Sequence, residues 1–328
     1  MKKIRVGING FGRIGRQFFR LASKYQNIEV VAINDLADII SIAHLLKYDS
    51  IHGRFGLKVQ IEGDKIVVDD SSPILITHHT DIRDIRWDKS SVDIVIESTG
   101  RFRSAISLSA HLDAGARKVI LTSPPLDDSV KMIVLGINDH LIDTGDKIIS
   151  NASCTTNSAA PLIDIIHKHW EIESAYITTV HSFTNDQNLH DSFHKDLRRS
   201  RSSFSSIIPT TTGAAKALTK IFPDLSEKIG GCGIRVPVPN GSLTDLTCIV
   251  SKDTNIDEVN KTFKLSKNQY IDYIEDPLVS IDIVGSSFSS VFDSGLTSVI
   301  GKMIKVVAWY DNESGYSYRL LDLVRRFS

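Results

Sequence analysis

Ile8-Asn9-Gly10-Phe11-Gly12-Arg13-Ile14-Gly15 follows an alternating run at residues 3–9 and precedes a run with helical spacing at Phe18, Phe19, Leu21 and Ala22. A strand, a glycine-punctuated turn and a helix in that order form a cradle for phosphate. Gly10 permits the tight turn, Gly12 lets backbone N–H groups approach a pyrophosphate, and Gly15 allows the helix to pack closely on the strand. A second strand at 29–34 leads into Asp35, twenty residues beyond Gly15. An acid there accepts hydrogen bonds from an adenosine ribose and repels a 2′-phosphate, which points to NAD over NADP. The glycines alone fit a ligand-free turn; strand, glycines, helix, strand and acid together point to a dinucleotide.

Further strands are expected at 66–68, 93–97, 118–121, 132–135 and 147–150, with helix-like stretches between them such as 106–114. Alternation of this kind gives an α/β domain, residues 1–152, built as a Rossmann-type doubly wound parallel sheet. Past about residue 150 the texture changes. One strong helix covers 154–168, and longer strand-like runs follow at 175–181, 243–251, 279–284, 291–293 and 303–309. That half, residues 153–314, reads as an α+β domain with a mainly antiparallel sheet. Within it, 182–206 has no periodicity, is rich in serine and carries Lys195, Arg198, Arg199 and Arg201. So long a loop is uncommon unless it has a task, the plain alternative being a solvated excursion.

Composition narrows the classes. The chain has 328 residues, 41% of them hydrophobic, and no apolar run long enough to cross a bilayer. Lysine plus arginine total 38 against 39 acidic residues, a net charge of −1, so nothing global draws the chain to nucleic acid or anionic lipid. Anion recognition must be local. Three cysteines, none in CxxC spacing, make neither a disulfide framework nor a metal knuckle, and no metal is expected. No apolar leader follows Lys2 and Lys3, so an unprocessed, cytoplasmic chain is expected.

The reactive candidate is Asn151-Ala152-Ser153-Cys154-Thr155-Thr156-Asn157, after a strand and at the start of a helix. Backbone N–H groups and the macrodipole favour a thiolate in a first turn, so Cys154 is expected to be a nucleophile with a lowered pKa. The alternative, a small buried apolar residue, is taken for Cys232 and Cys248. His181 ends the run at 175–181 and is the candidate base, although sequence distance does not show that it faces Cys154. Thr210-Thr211-Thr212-Gly213-Ala214-Ala215 opens a helix with hydroxyls and glycine, suiting phosphate or simple capping. Arg235, within Gly233-Ile234-Arg235-Val236-Pro237, needs an anionic ligand or a carboxylate partner if buried. Glu97-Ser98-Thr99-Gly100 reads as a turn at the carboxyl edge of the first sheet, where cofactors lie.

With Trp309-Tyr310-Asp311-Asn312-Glu313 and Thr212-Gly213-Ala214-Ala215-Lys216, these motifs resemble the phosphorylating glyceraldehyde-3-phosphate dehydrogenase family over nearly the whole chain, bacterial members above all. The resemblance implies that Cys154 attacks the aldehyde of glyceraldehyde 3-phosphate, that His181 takes the proton, and that a thioester forms and is cleaved by inorganic phosphate, as in glycolysis. It implies NAD contacts from Gly10, Arg13, Ile14, Asp35, Thr99, Phe102, Thr122 and Asn312. Thr184, Arg199 and Arg235 would take the substrate's phosphate, and Ser153, Thr155, Thr212 and Gly213 the attacking phosphate. It also implies a homotetramer with the 182–206 loop at an interface beside the cofactor, a C-terminal helix at 315–328 returning to the nucleotide domain, and no need of membrane or nucleic acid. Departures from the usual pattern are Ser158 for a second cysteine, Ser192-Phe193 for Leu-Pro, and Gly241 for valine in Asn240-Gly241-Ser242. Erythrose-4-phosphate dehydrogenase is the nearest rival, and the intact pattern at 212–216 argues for phosphate as attacking group. A non-catalytic NAD- or RNA-binding protein on the same fold would not need Cys154, His181, Arg235 and Asn312 together.

Overall fold

A computed structural model describes residues 3–328; Met1 and Lys2, where a leader was sought, lie outside the described residues. The chain forms two compact units, Met1–Ile133 with His140–Ala152 and Ser317–Ser328, and Val134–Asp139 with Ser153–Tyr316. No helix among the described residues is long and apolar enough to cross a membrane.

The first unit begins β1 (Ile4–Asn9), α1 (Arg13–Ala22), β2 (Ile28–Asn34) and α2 (Ile39–Lys47), followed by a small ribbon of β3 (Tyr48–Asp49) and β4 (Gly53–Arg54). Then come β5 (Val59–Glu62), β6 (Lys65–Val68), β7 (Ile74–Thr77), β8 (Ile94–Glu97), α3 (Ala105–Asp113), β9 (Lys118–Leu121), β10 (Lys131–Met132) and β11 (Ile148–Ser150). They form a nine-stranded sheet in the order β10-β11-β9-β8-β1-β2-β7-β6-β5. All pairs from β10 to β7 are parallel, with apolar runs such as Ile94–Glu97 buried throughout, as both-face burial demands. The expected strand at 66–68 lies instead in an antiparallel edge, β5-β6-β7. Gly10 turns the chain at φ +91°, and a Cβ there would stand 2.7 Å from the Thr99 backbone nitrogen. Only glycine supplies both the left-handed conformation and the close approach.

The second unit contains α4 (Cys154–Trp170), β12 (Ile172–Ser182), β13 (Ile208–Thr210), α5 (Ala214–Ile221), β14 (Ile229–Val236) and β15 (Ser242–Val250). It continues through α6 (Ile256–Leu265), β16 (Ile271–Ile274), β17 (Ser290–Ile300) and β18 (Met303–Tyr310). The sheet order is β13-β14-β12-β15-β18-β17-β16, mainly antiparallel, with β12–β14 and β16–β17 parallel. β14 is concealed by its glycines: Gly231 packs so closely on β12 that a Cβ would lie 2.9 Å from the Ile177 carbonyl oxygen. Two expectations fail here. The run at 279–284 is a 3₁₀ turn, Ser280–Ile283, closed by Asp282 accepting from the Val279 N–H at 2.9 Å; of its apolar side chains Ile283 is buried while Val279 and Ile281 are exposed. The strand expected at 132–135 shrinks to β10, because from Val134 the backbone curls onto the Asn138 side chain, which accepts the Val134 N–H at 2.7 Å. The segment between β12 and β13 is irregular, tied by its own bonds such as Arg201–Asp191, and Phe193 is 93% exposed on it.

The last helix, α7 (Ser314–Phe327), starts in the second unit and enters the first at Ser317. Its end is fixed there: Lys118 Nζ donates to the Phe327 carbonyl at 2.5 Å, and Arg325 stacks 4.1 Å from the Tyr25 ring centroid. Gly10→Ala should destabilise the protein by about 1–3 kcal/mol, the usual cost of such backbone strain, in urea unfolding; an unchanged midpoint would show that the turn tolerates a side chain.

Candidate active site

Cys154 is the first residue of α4, and Ser153 caps that helix by accepting the Thr156 N–H at 3.1 Å. The chain reaches it through Ala152, fully buried at φ +53°. A left-handed residue between β11 and α4 turns the strand sharply into the helix, and a small side chain keeps the strain low. His181, one residue from the end of β12, lies with Nε2 3.4 Å from the Cys154 sulfur. Arg235 on β14 pairs directly with His181 in the parallel register. Its Nη1 is 2.5 Å from His181 Nδ1 and donates to the Ser182 carbonyl at 2.9 Å. That carbonyl also lies 2.7 Å from Nδ1. A carbonyl only accepts and a guanidinium only donates, so Nδ1 can serve one of these two neighbours at a time; with its proton toward the carbonyl, Nε2 turns its lone pair to the thiol, the tautomer that a base requires.

Burial is the largest influence on both reactive groups. It lowers the His181 pKa to about 3, the Arg235 charge adding to the effect while the bond to Ser182 opposes it. Burial likewise pushes the Cys154 thiol up; Arg235, the Thr155 hydroxyl and the backbone N–H groups of Thr155 and Cys154 pull it back. The lowered thiol pKa expected from the helix position is therefore corrected. The helix N-terminus does favour the thiolate, but desolvation opposes it and shifts the thiol upward.

The same unit holds the other residues proposed for catalysis and phosphate. Arg235 makes no ion pair with a carboxylate among the described residues, so the salt-bridge alternative does not apply to it. Arg199 is engaged: it pairs with Asp186, lies 3.5 Å from Asp196 and donates to Thr210 Oγ1 at 2.8 Å. Thr184 is at the root of the same loop, its N–H donating to Gln187 at 3.1 Å. Thr212 accepts the Ala214 N–H at 3.2 Å, which caps α5, and Gly213 is exposed at that helix end. Asn312 follows β18, with its Oδ1 accepting from Ser182 and Ser242. Cys248 is in the core as expected, but Cys232 is only half-buried.

Sequence reading missed Tyr310. Its hydroxyl, fully enclosed, lies 2.9 Å from Thr155 Oγ1 and 2.8 Å from Thr179 Oγ1, and its ring meets His181 edge-on at 6.0 Å between centroids. It thereby joins the first turn of α4 to β12. Its place beside Asp311-Asn312 was the available signal.

In the first unit, Gly10, Gly12, Asp35, Thr99 and Phe102 line one cavity of about 290 Å³. Asp35 accepts the Phe11 N–H at 2.6 Å and the Ala37 N–H at 2.9 Å, fixing its carboxylate at the end of β2. Gly12 precedes α1 without a side-chain cap, and a Cβ on it would meet nothing within 4 Å, so the helix N-terminus is open to an anion. These features fit a dinucleotide. Thr99 donates to Glu97 Oε1 from its N–H at 2.8 Å, while Glu97 Oε2 accepts from Asn9 at 2.6 Å and from His111 at 3.0 Å. Thr122 donates to the Glu97 carbonyl at 3.0 Å. Arg13 pairs with Asp49, and it, the half-buried Ile14 and Thr122 lie outside the lining of that cavity.

Comparison with known proteins bears on these arrangements. Residues 4–105 match the family described as glyceraldehyde 3-phosphate dehydrogenase, NAD binding domain, and residues 153–312 match its C-terminal domain. The chain is 48% identical over 326 residues to the glyceraldehyde-3-phosphate dehydrogenase of Geobacillus stearothermophilus, covering 98% of this chain and 97% of that protein. It is 48% identical over 331 residues to that of Mycobacterium avium and 46% over 332 residues to that of Mycolicibacterium smegmatis, with the same coverage.

His181 makes stability pH-dependent. Unfolded, it takes up a proton near pH 6.5; folded, it does so only near its lowered value of about 3. The unfolded chain therefore binds more protons between those limits, and stability falls as pH falls through that window. His181→Asn should flatten the decline when urea midpoints are compared at about pH 7 and pH 5; parallel declines would mean that the imidazole is not held neutral.

Proposed function

The chain belongs to the glyceraldehyde-3-phosphate dehydrogenase family, and on that premise we propose how its own residues divide the work. Its reaction is the NAD-dependent oxidation of glyceraldehyde 3-phosphate in glycolysis. The observation that carries the assignment of roles is the 3.4 Å approach of the Cys154 sulfur to His181 Nε2, beside an Arg235 that has no carboxylate partner.

Cys154 adds to the aldehyde carbon, and its proton passes to His181 Nε2 as the sulfur–carbon bond forms. Arg235 and the first-turn N–H groups of α4 favour the negative charge that develops there. NAD, when bound, supplies the acceptor for the hydride of the hemithioacetal carbon. His181 hands that proton to the hemithioacetal oxygen and takes it back as the hydride leaves and the carbon becomes a thioester. Inorganic phosphate then attacks the thioester carbon, the carbon–sulfur bond breaks, and 1,3-bisphosphoglycerate leaves with the Cys154 thiol restored.

Arg235, Thr184 and Arg199 take the substrate's phosphate, Arg199 by exchanging Asp186 for it. Ser153, Thr155, Thr212 and Gly213 take the attacking phosphate. Gly10, Arg13, Ile14, Asp35, Thr99 and Thr122 hold NAD through its phosphates and adenosine side, and Asn312 meets its carboxamide. Residues 1–152 with the 315–328 helix act as the nucleotide domain, and 153–314 as the catalytic one. The active form is a cytoplasmic homotetramer; exposure of Leu189, Phe193, Leu197, Phe204 and Ile207 on one loop supports burial against another copy.

Cys154→Ser should abolish NADH formation, and His181→Asn should lower kcat by about 10²–10⁴-fold with a small change in KM, both read at 340 nm. Turnover without phosphate, combined with faster use of erythrose 4-phosphate, would transfer the assignment to erythrose-4-phosphate dehydrogenase. Asp35→Ala should narrow the preference for NAD over NADP; equal use of the two cofactors by the unaltered enzyme would remove the role given to Asp35.

A further inference from the structure

Asn312 is held through its side-chain oxygen and through the residues on either side of it. Asp311, itself 1% exposed, accepts N–H bonds from Glu313 and Ser314 at 2.8 Å each, from Asn240 Nδ2 at 2.9 Å and from Gly285 at 2.7 Å, which pins the backbone on both sides of Asn312. The side-chain oxygen of Asn312 accepts from the Ser182 hydroxyl at 2.9 Å and the Ser242 hydroxyl at 2.8 Å. An amide oxygen has two lone pairs, so both are used. Ser242 Oγ in turn accepts the Ser182 N–H at 3.2 Å, leaving its proton for Asn312. Both serines are buried, so turning the amide over would strand two hydroxyl protons without acceptors. Asn312 Nδ2 has no hydrogen-bond partner among the described residues and is not among the buried atoms left unpaired, so it is accessible.

Gly241 makes this possible. It turns at φ +87° and a Cβ on it would stand 2.1 Å from the Ser280 carbonyl oxygen. That turn lets Asn240 reach Asp311 while Ser242 reaches Asn312.

We infer that Ser182 and Ser242 are positioning residues that lock the Asn312 amide with its NH₂ outward, so that it meets the nicotinamide carboxamide as a donor to its oxygen and never as an acceptor. The inference rests on the proposed contact between Asn312 and the cofactor. Calorimetric binding of NAD and of its thionicotinamide analogue, whose sulfur accepts hydrogen bonds weakly, tests it in the full-length protein. Ser182→Ala and Ser242→Ala should each raise the Kd for NAD by about 3–10-fold, one hydrogen bond's worth, and shrink the preference for NAD over the analogue. KM should rise more than kcat falls, and Ser242→Thr should restore the preference. An equal rise for both dinucleotides, accompanied by a lower melting temperature, would make the serines merely structural and overturn the lock. Unchanged NAD binding in the serine variants, with weakened binding in Asn312→Ala, would overturn the lock alone. Unchanged binding in Asn312→Ala would remove the cofactor contact itself.

Discussion

Arg235 sets a full positive charge against the base, and no carboxylate arrives with it. The parallel pairing of β12 with β14 enforces this, because it puts His181 and Arg235 side by side on adjacent strands. Desolvating a guanidinium without a counter-ion is unfavourable, and the fold offsets part of that cost through the Ser182 carbonyl. The consequence is electrostatic. A cation so placed discourages a second one on His181, keeps the imidazole ready to accept a proton, and leaves the site in deficit of negative charge. The substrate phosphate proposed to bind at Arg235 would supply what is missing.

Near-neutral composition concealed that deficit. Two basic side chains of the 182–206 loop spend their charge locally, Arg199 on Asp186 and Arg201 on Asp191. Arg235 keeps its charge unmatched by an ion pair among the described residues, and what marked it was its apolar surroundings, not the number of lysines and arginines.

The parts legible in the sequence are those whose causes are local. Glycine spacing before a helix, an acid after the second strand and a cysteine behind a serine cap each follow from a few adjacent residues, and the two-layered reading of parallel then mainly antiparallel sheet follows from the alternation of such patterns. What escaped is set by contacts distant in sequence. Tyr310 meets Thr155 across a separation of 155 residues, and no spacing rule reaches that far. The direction of the thiol pKa was misjudged because the helix end is local information while burial is tertiary. β14 was hidden because its glycines, weak strand formers, serve the close packing of β12, and the 279–284 run alternates like a strand but has only Ile283 to bury.

Ser182 is the point at which the His181 imidazole and the Asn312 amide are referenced to one position of the backbone. Its carbonyl orients His181, its hydroxyl orients Asn312, and its N–H orients the second serine. A shift of this residue would therefore act on the His181 imidazole and the Asn312 amide together, two parts mounted on a common rail.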